Sequence, residues 1–151
     1  MVEVEGRLGV DRVAFAHVVE RVLSDPRSWG GSGRVGFRRV SRGPASFRVT
    51  LASPQTTDRL CLPLQTNGSF SCYMVGRAVL NARRWHQGAD AYAGRLRAYR
   101  TYVVNHEVGH ALGEGHVGCP AAGHDAPVMM QQTKGVAPCR ANAWPYPSGH
   151  R

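Results

Sequence analysis

The chain has 151 residues, enough for one domain with a real core. Its formal net charge is +9, carried by arginine almost throughout, with Lys134 the single lysine. No apolar run approaches the roughly 18 residues of a membrane span. The basic residues are scattered, without the clustered run and interleaved aromatics of a nucleic-acid face, so the charge points to acidic partners, an anionic cell-surface polymer among them.

In chain order, residues 2–6 alternate and predict a short strand. Asp11 is a candidate N-cap for a helix whose apolar face runs through Val13, Phe15, Ala16, Val18, Val19, Val22 and Leu23. Asp25-Pro26 ends that helix, and His17 within it reads as a partly buried structural histidine. Residues 29–33 are a glycine-rich loop, 35–40 and 46–51 predict strands, and 53–58 read as a polar turn. Asn67-Gly68 is a strong hairpin signal, with 61–64 and 71–75 as its arms. Residues 77–85 predict the last strand of the sheet. After Gly88, residues 89–112 predict one long helix with Tyr92, Leu96, Tyr99, Val103, His106 and His110 on its inner face. From 117 onward prolines and glycines predict irregular loops, held by a bridge and by packing of Trp144 and Tyr146. His86, His124 and His150 fall in loops and are expected to be spectators.

The four cysteines allow three connectivities. Local spacing favours Cys61–Cys72, flanking the Asn-Gly turn, and Cys119–Cys139; a thiolate metal site has no Cys-x-x-Cys to build on. Bridges imply an oxidising compartment. Residues 1–5 have neither the basic start nor the apolar stretch of a signal peptide. The chain is therefore expected to be a mature form or ectodomain of a secreted or extracytoplasmic protein.

The densest information lies at 106–116, His-Glu-Val-Gly-His-Ala-Leu-Gly-Glu-Gly-His. Four residues advance a helix by just over one turn, so His106 and His110 share a face and can meet on one metal ion. Gly113 can turn the chain in a left-handed conformation and return His116 as a third nitrogen ligand. Three protein ligands leave a position open, the arrangement of a catalytic zinc. Glu107 can reach a water on such a zinc and serve as general base without being a ligand.

This stretch matches H-E-x-x-H-x-x-G-x-x-H without a mismatch, and the chain thereby resembles the metzincin clan of zinc metallopeptidases. The segments 106–117, 127–135 and 142–147 also look like an uncharacterised actinobacterial secreted family of that clan. The resemblance implies an α+β, zincin-like fold occupying 1–151 as a single domain. Residues 1–113 would form an upper subdomain, with a twisted mixed sheet, a backing helix and a long active-site helix. Residues 114–151 would form a small irregular lower subdomain. It implies a methionine turn below the histidines, for which Val128-Met129-Met130 is the candidate; Met129 fits the pattern better, with Met130 left open. Some clan members place a tyrosine after this turn as a zinc ligand or oxyanion donor. Here Gln131 or Gln132 stands there, and Tyr146 is the tyrosine further downstream. The substrate, a peptide or protein, would pair in extended form with the edge strand, for which 77–84 is the candidate. The expected function is zinc-dependent, metal-activated hydrolysis of peptide bonds by a monomer, with Glu107 as base. The alternative is a catalytically silent zinc-holding module that binds peptide or anionic polymer.

Overall fold

Residues 1–149 are described by the computed structural model of the chain; among them helices and one mixed sheet make an α+β fold. β1 (Val2–Val4) lies parallel to β2 (Arg48–Ala52), with Val2 opposite Val49 and Val4 opposite Leu51. β4 (Arg77–Asn81) continues the sheet parallel to β2. β3 (Cys72–Met74) runs antiparallel to β4, giving the order β1-β2-β4-β3.

The two interior strands alternate between two apolar environments, as a sheet covered on both faces requires. Val49, Leu51, Ala78 and Leu80 enter the main core with Phe15, Val19, Tyr99, Val103 and Val104. Those partners come from α1 (Arg12–Ser24) and α4 (Leu96–Ala111). Ala52 and Val79 point the other way, into a small cluster with Cys61 and Cys72. The Cys61–Cys72 disulfide thus ties edge strand β3 to the end of α2 (Pro54–Leu60).

Helix α1 forms where the apolar spacing places it. The Asp11 carboxylate caps it by accepting from the Ala14 amide at 2.7 Å. His17, however, is exposed, and Val13 is 61 % exposed, so the buried stripe is narrower than the sequence predicts.

Several other elements differ from expectation. Residues 35–40 form no strand, and the neighbour of β2 on the side away from β4 is β1. The polar stretch at 53–58 is not a turn but the start of α2. Ser53 caps it through the Thr56 amide at 3.3 Å, and Pro54 occupies the first turn. Asn67 and Gly68 do adopt the paired positive φ of a tight hairpin turn, 51° and 61°, closed by the Ser69 amide on the Thr66 carbonyl. Yet the flanks do not pair as arms. Instead the Asp58 carboxylate accepts from the Gly68 amide at 2.8 Å and from the Thr66 hydroxyl. The hairpin of the sheet is β3–β4, turning at Val75-Gly76.

The strand expected over 77–85 stops at Asn81, whose side chain caps α3 (Ala82–Gln87) through the Arg83 amide. The helix expected over 89–112 is a 3-10 turn at Asp90–Tyr92, a left-handed step at Ala93 and Gly94, and then α4. β4 is therefore interior, and the edge antiparallel to it is β3, not 77–84.

Beyond Gly113 the described residues carry no helix or strand, only a bridge between Asp125 and Arg140. The Cys119–Cys139 disulfide staples this segment. Trp144 lies under the Arg27 guanidinium at 4.1 Å, and Trp29 meets Tyr146 edge-on. His150 lies outside the described residues.

Candidate metal centre

His106, Glu107 and His110 lie on the last turns of α4, which end in a hydrogen-bonded glycine cap. The Gly113 amide donates to the His110 carbonyl at 3.0 Å, and the Glu114 amide donates to the Gly109 carbonyl at 2.9 Å. This pair of bonds needs a left-handed residue between them, and Gly113 supplies it at φ 93°. The cap also reaches the site, because the carbonyl of Glu114 accepts from Nδ1 of His110 at 2.8 Å. Nδ1 of His106 donates likewise to the Val128 carbonyl, also at 2.8 Å. A carbonyl oxygen only accepts, so both rings carry their proton on Nδ1 and present a bare Nε2.

His116, returned by the turn, brings its Nε2 to 3.0 Å from Nε2 of His110. Zn–N bonds of about 2.0–2.1 Å place two ligand nitrogens about 3.3 Å apart at a tetrahedral angle. One ligand nitrogen from each of the three histidines lies within 4.8 Å of the others, a group able to hold a metal ion. Burial holds the His106 pKa down at about 4, and burial with the neighbouring His110 lowers that of His116. Both rings are thus neutral at physiological pH, the state in which imidazole binds metal.

Glu107 is buried, and its Oε2 has no hydrogen-bond partner. Burial pushes its carboxyl up to about 8, so without a nearby cation it holds its proton at neutral pH. An unpartnered buried carboxyl costs stability. It lines the same cleft as the imidazole cluster, where a bound cation would relieve that cost.

The segment below the helix is held by a hydrogen-bond network that no spacing pattern announces. Gln132 is fully buried; its amide side chain bonds Pro127 and Asn142, and it accepts from the Tyr92 hydroxyl. Asn142 in turn fastens Ala126 and Trp144. The Tyr102 hydroxyl donates to the Met130 carbonyl and accepts from the Gln132 amide. The sequence pointed to members of this network one by one, through the Gln131/Gln132 position, the Tyr92 helix face and the 142–147 stretch, but not to their bonding.

Met129 is buried directly against α4, whereas Met130 is only partly buried and takes part through its carbonyl. A Cβ on Gly109 would stand 2.4 Å from Met129 Sδ and 2.8 Å from Trp29 Cζ2. Gly109→Ala is therefore expected to destabilise the protein by about 1–3 kcal/mol, overpacking outweighing the better helix propensity of alanine. Urea unfolding checks this, and an unchanged midpoint contradicts it.

The three histidines and Glu107 line a cleft of about 390 Å³, whose far wall is the edge strand, through Cys72 and Tyr73, with Phe70 before it. Gln131 and Lys134 stand at its mouth. Tyr146 is not among the residues lining it. His86 and His124 are exposed and take no part in the imidazole cluster.

A family model described as Protein of unknown function (DUF3152) matches residues 1–138. No curated protein and no solved structure matches the chain.

Proposed function

The chain belongs to the DUF3152 family, whose description names no activity, and from its site we propose that this protein is a zinc-dependent endopeptidase of metzincin type. The observation that carries the reading is the pairing of two elements in one cleft. Two imidazoles have their Nε2 lone pairs set by backbone carbonyls and converge with a third, beside a buried carboxyl that has no structural partner.

In this reading His106, His110 and His116 hold one zinc, and the carbonyls of Val128 and Glu114 keep two of the rings in the binding tautomer. Zinc at this position supplies Lewis acidity and lowers the pKa of water towards neutrality. Glu107 takes the proton of the attacking water and passes it to the leaving amine. β3 offers its free backbone edge to an extended peptide, which lays the scissile bond over the histidines. Met129, packed under Gly109, is the methionine of the turn supporting the site, and 114–149 is the lower subdomain.

The two disulfides suit an oxidising, extracytoplasmic setting. No helix is long and apolar enough to cross a membrane among the described residues. The test is digestion of a broad peptide library, read by mass spectrometry, before and after chelation. Cleavage should stop with the chelator and return with zinc. A zinc-loaded protein that cleaves nothing would replace this reading with a silent binding module.

A further inference from the structure

Lys134 is the only lysine in a chain whose other basic residues are all arginine. It follows the segment under α4 and lines the cleft together with His106, Glu107 and Gln131. It also borders a small annex of about 30 Å³, bounded by Phe70, Ser71, Tyr102, Thr133 and Glu107. Its ammonium donates to Oε1 of Gln131 at 3.3 Å and sits 5.3 Å from the Phe70 ring centroid. Five ion pairs exist among the described residues, and Lys134 is in none of them.

Resting on the peptidase reading above, we infer that Lys134, steadied by Gln131 and Phe70, recognises an acidic side chain of the substrate beside the scissile bond. Three features support a substrate carboxylate as its partner. The ammonium is held over the cleft by a neutral amide and a ring, which orient it without neutralising it. Glu107, the carboxyl in the same cleft, lies outside ion-pair distance. The annex is also small, about 30 Å³, so the space beside Lys134 disfavours an aromatic or long aliphatic side chain. A compact, strongly hydrated point charge at the rim suits a carboxylate arriving from solvent. Aspartate meets both demands best.

The test uses a random decapeptide library, acetylated and amidated so that side chains supply the only carboxylates. Wild-type zinc-loaded protein digests it, and zinc-loaded Glu107→Gln protein captures peptides from it without turnover. Acidic residues, aspartate foremost, should be enriched about fivefold at one fixed position from the cut and in the captured pool, the upper range for an exposed ion pair. The enrichment should fall as salt rises. Lys134→Gln should abolish it, Lys134→Arg keep it, and Lys134→Glu invert it towards basic residues. Because Lys134 is exposed, these variants should fold as the wild type does.

Acidic enrichment that persists in Lys134→Gln overturns the inference, as does cleavage without charge preference in the wild type. A uniform loss of cleavage across the library in Lys134→Gln also overturns it, placing the ammonium at the reacting carbonyl instead. If the wild type cleaves nothing while the Glu107→Gln protein retains acidic peptides through Lys134, the peptidase reading fails and the recognition site stands. Neither cleavage nor retention overturns both.

Discussion

Replacing Glu107 by alanine or by glutamine is expected to leave zinc bound and the fold intact, while peptide hydrolysis falls by about 10²–10⁴-fold, the usual worth of a positioned general base. The carboxyl has no competing structural task. Its Oε2 is sealed without a partner, and burial alone lifts its pKa to about 8. A residue held at such a cost contributes nothing to packing that glutamine could not supply. Glutamine keeps the shape but cannot accept the proton, so both variants should fail alike. The measurements are kcat/KM on the best library peptide, zinc content, and circular dichroism. If either variant stays within about tenfold of the wild type, Glu107 is not the base; if either unfolds, its role is structural.

His110→Ala is expected to lower zinc affinity by more than about 100-fold, because two nitrogens cannot replace a three-sided site, and even groups that only orient a ligand are worth about 10–100-fold. The structure predicts a graded series. Gly113→Ala keeps all three imidazoles but strains the cap at φ 93° and displaces the Glu114 carbonyl that orients His110. Its loss should fall in the lower, 10–100-fold range. Competition against a chromophoric chelator measures both. Full zinc occupancy in His110→Ala removes the metal assignment, and equal losses in the two variants remove the orienting role of the cap.

Legibility in the sequence followed the range of the physics. The histidine cluster was readable because its geometry is local: helical rise and one left-handed glycine bring the three rings together. α1 and the disulfide pairs were readable for the same reason. α2 was missed although Ser53-Pro54 is a helix-start signal, since Thr57 is its only buried residue and no apolar stripe announces it. The Asn67-Gly68 turn formed without its hairpin, because local turn chemistry does not decide what the flanks pair with. No strand formed over 35–40, and the segment that pairs with β2 instead is β1, far away in sequence. Around the site, the joint role of Gln132, Asn142, Tyr92 and Tyr102 was not legible, because their work is long-range hydrogen bonding, which leaves no spacing pattern.

His106, His110 and His116 belong to one short stretch of chain, so they stay near one another when the domain is denatured. If the site holds zinc as proposed, the denatured ensemble competes for it, and a metal stabilises a fold only by the difference between its affinities for the two states. Tight zinc binding here should convert into a smaller rise in melting temperature than the affinity alone suggests. Most of the thermal resistance should instead come from the Cys61–Cys72 and Cys119–Cys139 crosslinks, which restrict the denatured chain itself.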